Sequence, residues 1–301
     1  MTRSEVNVHP RLNPDGGSVA VTLLKSSFRR ARVPLNSLAL KTYRQNGLPD
    51  ELYPAIKYLL TNRLPPGCDA VADRIEELRE RLAQKGAMKV GEFVAGTRVD
   101  APEIEQRSLL EIAHWVSVPR NFGLFLYLCS EGFKARRILE LGTCAGISGC
   151  YLASGSSCED FVTLELSGAL AAIATENLRH VIPDPKVINA SFDEGLDGLI
   201  HEDMEPFDII WIDGHHEREA TLRYFKRLKD HAAPGKLMLF DDINWPDMKE
   251  AWALIRRWPG FSHTINATRF GMGVVKTGQD GTSPKNWRLD QRLKFTRLVR
   301  E

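Results

Sequence analysis

From residue 137 onward, short apolar runs alternate with segments of helical periodicity. The runs at 137–141, 161–165, 187–190, 207–212 and 236–240 are expected to be strands. The segments at 146–153, 168–181, 192–200 and 217–231 are expected to be helices, with another at 247–257. Such alternation is the signature of βαβ units and a parallel sheet. Two more strand-like pieces, 263–267 and 271–276, are separated only by Thr268-Arg269-Phe270, which predicts an antiparallel hairpin. Upstream, 48–63 is expected to be helical before Pro65-Pro66-Gly67 breaks the chain. Val71, Ile75, Leu78 and Leu82 then recur at helical spacing, with Glu76, Glu77, Arg79 and Arg81 on the other faces and Gly86 as a stop. Further helices are expected at 103–116 and 120–131. Asn13-Pro14-Asp15-Gly16-Gly17 is turn chemistry.

The fold class expected is therefore α/β: a Rossmann-like, seven-stranded, mostly parallel sheet with helices on both faces, a terminal antiparallel hairpin and an N-terminal helical extension. The divisions fall at 1–102 (partly helical extension), 103–277 (the α/β domain) and 278–301 (a basic tail).

Composition narrows the class only a little. The 301 residues are 43% hydrophobic and 26% charged, ordinary for a globular protein, and the net charge of +1 points to no nucleic acid and no membrane surface. No apolar run approaches the roughly 18 residues of a membrane span. Both ends are basic, from Arg3 to Arg44 and from Lys285 to Arg300. Solvated ends are the simpler reading, and contact with an anionic partner is the other. The five cysteines (Cys68, Cys129, Cys144, Cys150 and Cys158) are odd in number and contain no C-x-x-C pair. Reduced thiols in a cytoplasm fit that pattern better than a disulfide framework or a zinc site. The partner expected is a small-molecule substrate, with a homodimer left open.

The candidate chemistry sits at the strand ends. The first strand runs into Glu140-Leu141-Gly142-Thr143-Cys144-Ala145-Gly146-Ile147-Ser148, where Gly142 and Gly146 let the backbone approach a ligand closely. A dinucleotide would call for G-x-G-x-x-G, but Cys144 and Ile147 stand at the second and third glycine positions. A nucleoside without phosphates fits better, and S-adenosylmethionine is one. Glu165 ends the second strand, where an acid commonly takes ribose hydroxyls. The fourth strand ends in Asp213-Gly214-His215-His216 and the fifth in Asp241-Asp242. Adjacent strands would bring three carboxylates together, and such a set repels unless protonated or bridged by a cation. Mg²⁺, Mn²⁺ or Ca²⁺ suits these oxygens. The competing reading is that the acids cap helices and bind polar groups without metal. His216 or His215 could serve as a general base or could orient a ligand. Trp245 could wall a flat aromatic substrate, while Trp252 and Trp258 read as packing.

These residues resemble the class I S-adenosylmethionine-dependent methyltransferases, especially those related to catechol O-methyltransferase, over residues 103–276. The resemblance implies that the Glu140–Ser148 loop, Thr143 included, holds the methionine part of the cofactor, with Ser148 on its carboxylate. It implies Glu165 and Leu166 at the ribose, and Ser191 and Phe192 at the adenine. Asp213, Asp241 and Asp242 fall on three metal-ligand positions, the last being Asn in the catechol enzyme, and Asp213 also borders the cofactor. His216 stands where that enzyme has a catalytic lysine. The first hundred residues would lid the site and select the substrate. The function expected is metal-assisted O-methylation of a hydroxyl on a small molecule, with aromatic compounds among the candidate acceptors. The alternatives are metal-independent N- or sugar-O-methylation and a methyltransferase fold that binds S-adenosylmethionine without turnover. A nucleotide-cofactor oxidoreductase is disfavoured by the missing glycines.

Overall fold

The computed structural model describes Leu40, Gln45 and residues 47–93, 104–201, 204–278, 281–290 and 297–300. The turn expected at residues 13–17 lies outside these.

The central element is a nine-stranded sheet with the order β11-β10-β8-β9-β7-β6-β3-β4-β5. Its strands are β3 Arg137–Leu141, β4 Asp160–Glu165, β5 Lys186–Asn189, β6 Phe207–Ile212, β7 Ala232–Phe240, β8 Phe261–Ala267, β9 Phe270–Val275, β10 Lys285–Asp290 and β11 Arg297–Arg300. Strands β3 to β7 pair in parallel, while β9 pairs antiparallel with both β7 and β8. The seven strands expected are present. Two more extend the sheet through the stretch read as a basic tail: β10 runs parallel to β8, with Trp287 opposite Ile265. Its Trp287 and Leu289 are buried in the core, which gives this stretch an apolar side that a charge count does not weigh.

Strand side chains alternate between the two faces, as a period of two requires. Ile138, Ile209, Trp211, Leu237 and Leu239 face one core with α1 Tyr53–Thr61, α2 Cys68–Gln84, α4 Arg120–Phe133 and α5 Ile147–Ala153. Leu139, Leu141, Ile210, Ile212, Met238 and Phe240 face the other, covered by α7 Phe192–Leu199, α8 Arg218–Leu228 and α9 Pro246–Ile255. The remaining crossover helix, α6 Gly168–Leu178, links β4 to β5 and starts at Ser167, whose hydroxyl accepts from the Leu170 N–H.

The segment expected as a helix at 103–116 is instead built in three parts. Strand β2, Ile104–Ser108, pairs antiparallel with β1, Lys89–Phe93. A helical turn, α3 Leu109–Glu111, follows, and a π-type turn at Ile112–Val116 completes it. Ser108 explains the break: with Glu111 it forms a capping box, which starts a helix at Leu109 and leaves 104–108 extended. Leu109, Ile112, Ala113 and Val90 pack with Ala145 and Leu170, so this arm rests against the loop after β3. Arg79 of α2 ties it down by donating to the carbonyls of Ala113 and Val118.

Candidate active site at the switch point

The chain proceeds from β3 outward to β4 and β5, then returns to place β6 on the other side of β3. Crossover connections therefore diverge between β3 and β6, and the crevice beyond their carboxyl ends is where open α/β sheets bind ligands. The register aligns the loops that leave it. Leu141 lies opposite both Leu164 and Ile212, and Ile212 lies opposite Phe240. Glu165, Gly142, Asp213 and Asp241 consequently emerge side by side, one strand spacing of about 4.8 Å apart. Backbone bonds lock the row: Gly142 N donates to Leu164 O, Asp213 N to Leu141 O, and Asp241 N to Ile212 O.

The backbone along this edge is strained. Cys144 (φ 47°), His215 (67°), His216 (37°), Asp242 (49°) and Thr268 (62°) all occupy the left-handed region without being glycine. Each such residue costs on the order of 1 kcal/mol or more, and strain of this kind collects at functional sites. Gly142 (φ 100°) could not be replaced: a Cβ there would lie 2.0 Å from the Asp213 carbonyl oxygen. The close approach of these two loops depends on its missing side chain.

Several residues expected to touch the cofactor have side chains engaged with other protein groups. Glu140 is fully buried, and both its oxygens are occupied, by the hydroxyls of Ser148 (2.6 Å) and Thr163 (2.8 Å). Burial pushes its carboxyl up to about 8, against the pull of those two hydroxyls. Thr143 is also fully buried, its hydroxyl bonded to that of Thr163. Glu140 thus supports the loop from below rather than meeting a ligand, and Thr143 offers only its backbone. Ser148 spends its proton on Glu140. Ser191 caps α7, its hydroxyl donating to Glu194 and accepting from the Glu194 N–H. A sequence pattern sees a polar residue beside the loop; the side on which its partner sits is a tertiary matter.

Glu165 remains at the edge. Its carboxylate accepts from the N–H groups of Cys144 and Ser167, both at 2.8 Å. Burial raises its pKa to about 7 despite those bonds. Leu166 beside it is partly exposed, and the half-buried Phe192 lies beneath Gly214, where a Cβ would meet its ring at 2.7 Å.

The two histidines separate. His215 turns away: its Nδ1 is 2.8 Å from the Tyr224 hydroxyl, and its ring stacks on Tyr224. His216 turns into the site. Its Nε2 is 3.7 Å from Asp213 Oδ1 and its Nδ1 is 4.0 Å from Asp242 Oδ2. That Nδ1 is buried and makes no hydrogen bond. Burial lowers the His216 pKa, with the Asp242 charge opposing. The Trp245 ring lies 5.2 Å from the imidazole. Trp252 and Trp258 are packing residues, as expected: Trp252 is buried against Phe240, and Trp258 packs edge-on to Phe225 and Phe261.

The three carboxylates do converge, but not as a free set. Burial raises the pKa of Asp213 well above the usual range, and the neighbouring Asp241 adds to the shift. Asp241 is 2% exposed and pushed up to about 6, chiefly by burial. Arg269, from the turn between β8 and β9, closes on them. Its Nε and one terminal nitrogen grip the two Asp241 oxygens at 2.6 and 2.5 Å, and the same terminal nitrogen lies 2.8 Å from Asp242 Oδ1. Among the described residues no group of three or more His, Cys, Asp or Glu is arranged to hold a metal ion. Arg269 carried no signal in the sequence beyond its place in the Thr268-Arg269-Phe270 stretch between two strand-like pieces.

Residues 139–243 match the model of a methyltransferase domain, a span that begins in β3 and ends just past Asp242. Over 131 residues the chain is 30% identical to a catechol O-methyltransferase of Niastella koreensis, an alignment covering 42% of this chain and 58% of that protein. Over 129 residues it is 30% identical to a catechol O-methyltransferase of Mycobacterium tuberculosis, covering 42% and 57%. The chain thus spans somewhat over half the length of these curated relatives. Among solved structures, an O-methyltransferase from Bacillus cereus in complex with SAH is 25% identical, with a TM-score of 0.49, over 68% of this chain and 91% of that one. Over residues 139–243 the chain is thus similar to a methyltransferase domain.

Proposed function

We propose that this chain is an enzyme that transfers a methyl group from S-adenosylmethionine to a hydroxyl group of a small molecule. The observation that carries this reading is the row of strand ends at the switch point. Glu165 and the Gly142 loop lie on one side of it, and Asp213 with the inward-turned His216 on the other. The cradle fits a nucleoside. Gly142 and Gly214 leave space that a Cβ would fill, and Glu165 stands at the strand end with acceptor oxygens for ribose hydroxyls. Backbone groups of 142–146, together with Glu165, Leu166 and Phe192, would hold the cofactor, which supplies an electrophilic methyl on sulfonium.

The chain's own residues then have two tasks. One is to set the acceptor hydroxyl in line with that methyl, since near-attack placement contributes much of the rate in such displacements. Trp245 offers a flat face beside His216 for an aromatic acceptor. The other is to remove the hydroxyl proton. His216 is the base: its pKa lies below the ordinary 6.5, so the ring is neutral near pH 7, and Nδ1 makes no hydrogen bond. His215, held by Tyr224, shapes the loop instead. The donor chemistry of Asp213, Asp241 and Asp242 suits a divalent cation. With Arg269 gripping Asp241 and Asp242, however, the set does not fit one. The arm formed by β1, β2 and Leu109–Val116 flanks the Gly142 loop and is the region that would select the acceptor.

The test is calorimetric titration of S-adenosylmethionine into the full chain and into Glu165→Ala, followed by methyl transfer to a panel of phenols and sugars. Micromolar binding weakened at least about tenfold by the substitution supports the proposal. A folded wild type that does not bind S-adenosylmethionine removes it.

A further inference from the structure

The acid cluster and Arg269 pose a question of charge that the methyltransferase reading leaves open. Asp241 and Asp242 need a cation, and a divalent ion and a guanidinium are the two candidates. Each would have to occupy the same oxygens. A divalent ion needs carboxylate lone pairs at about 2.0–2.6 Å. Arg269 already takes both oxygens of Asp241 as a two-pronged fork and one oxygen of Asp242. This is the geometry in which an arginine–carboxylate pair is strongest. A divalent ion on Asp241 would lie within a few ångströms of a like charge, so the two cations exclude each other.

Arg269 is also built in rather than resting there. Its guanidinium lies over the rings of Phe122 (5.6 Å) and Phe270 (5.8 Å), and Phe270 is a fully buried core residue stacked on Phe125. Its backbone is fastened to the acid loop: Ile243 N donates to Arg269 O at 3.0 Å, and Asn244 Nδ2 donates to Thr268 O at 2.9 Å. Register explains the placement, because Phe240 of β7 lies opposite Gly271 of β9 and the hairpin turn therefore falls beside Asp241. Moving the guanidinium out would strand a carboxylate that is 2% exposed.

We infer that Arg269 is the resident cation of this site: its guanidinium takes the place a divalent metal would hold on Asp241 and Asp242, and the site works without a metal ion. Arg269 is a positioning residue, acting through Asp241 and Asp242, the second of which lies beside His216. The inference rests on the methyltransferase reading for what the site does, but not for which cation fills it.

The experiment is titration of Mn²⁺ into the full chain, followed by electron paramagnetic resonance and by calorimetry, in wild type, Arg269→Met and Arg269→Met/Asp241→Asn. Wild type is expected to show no saturable Mn²⁺ binding. Arg269→Met keeps an apolar stem against the two rings and frees the carboxylates, so it is expected to gain a one-to-one Mn²⁺ site at least about tenfold tighter than anything in wild type. The added Asp241→Asn is expected to remove that site. Stoichiometric Mn²⁺ binding by wild type, lost in Asp242→Asn, overturns the inference, and so does a folded Arg269→Met that gains no site. Should Arg269→Met not fold, the wild-type and Asp242→Asn titrations decide alone. S-adenosylmethionine binding in the presence of EDTA is read in parallel. Its loss in metal-free wild type that otherwise binds Mn²⁺ counts against Arg269, whereas its absence under every condition counts against the methyltransferase reading only.

Discussion

Replacing Glu140 by Gln separates a residue that supports the cofactor loop from one that binds the cofactor. Glu140 is fully buried, with its carboxyl raised from 4.5 to about 8. In the unfolded chain the carboxyl loses its proton at the ordinary value, while the folded state retains it over the interval between. The unfolded state binds fewer protons there, so stability falls as pH rises from the unfolded value to the folded one. For this shift the loss between pH 5 and pH 8 is about 3 kcal/mol, a large part of the 5–15 kcal/mol that holds a typical domain folded. Glutamine has the same shape and no charge to lose. Its amide can still meet the hydroxyls of Ser148 and Thr163, so Glu140→Gln should remove this component of the pH dependence and leave the loop in place. Urea unfolding of both proteins at pH 5, 6, 7 and 8 measures it. The stability difference between variant and wild type should move in the variant's favour by about 3 kcal/mol across that range. S-adenosylmethionine affinity at pH 6 should change by less than about threefold, since Glu140 has no exposed surface. Parallel stability curves would show that burial does not govern the proton on Glu140. A folded variant that loses binding by more than about tenfold would make Glu140 a ligand and refute its supporting role.

Other consequences can be checked separately. His216→Gln should lower kcat for methyl transfer by about 10²–10⁴ with little change in cofactor affinity, as expected when a proton acceptor is lost. The wild-type rate should fall with decreasing pH through a midpoint below 6.5, because burial favours the neutral ring; a rate flat down to pH 5 would remove His216 as base. Gly142→Ala should cost more than about 2 kcal/mol in thermal unfolding and weaken S-adenosylmethionine binding, from the positive φ and the 2.0 Å approach to the Asp213 carbonyl. Arg79→Met should cost about 2–4 kcal/mol, since the buried carbonyls of Ala113 and Val118 lose their donor, and hydrogen exchange should show loosening of the 109–118 segment.

How much of this was legible in the sequence differs by level. Strand and helix positions from 137 to 276 followed from hydrophobic runs, because a sheet buried on both faces leaves an almost unbroken apolar signature. The segment at 104–108 was misread as helix for a local reason: Ile-Glu-Gln-Arg-Ser has no strong β pattern, and its strand exists only because β1 pairs with it. Strands β10 and β11 sit in a stretch whose basic residues obscured Trp287 and Leu289. The sequence located the sheet edge at which Glu165, Asp213, Asp241 and His216 come together, since strand ends are where chemistry collects. It did not assign them. Whether Glu140 points down at Ser148 or out at a ligand, and which of His215 and His216 turns inward, depends on the left-handed backbone at 215–216 and on Tyr224, nine residues away.

Arg269 shows why an acid cluster read along the chain is an incomplete guide to the charge it carries. The stretch matched to the methyltransferase-domain model ends at residue 243, so it contains all three carboxylates and not the cation that answers them. The guanidinium arrives from a hairpin turn 28 positions after Asp241, brought there by the antiparallel return of β9 along β7. A motif read along the chain records donors; the sheet order decides what neutralises them. A divalent ion with open positions can bind two adjacent substrate oxygens at once, whereas a guanidinium committed to Asp241 and Asp242 cannot. The acceptor should then be selected by its fit against Trp245 and His216 and not by a vicinal pair of hydroxyls. Simple phenols should be methylated with kcat/KM within about tenfold of the matching catechols, and EDTA should change neither value. A preference for catechols of a hundredfold or more, abolished by EDTA, would return the site to a metal and displace Arg269 from the role that its contacts assign.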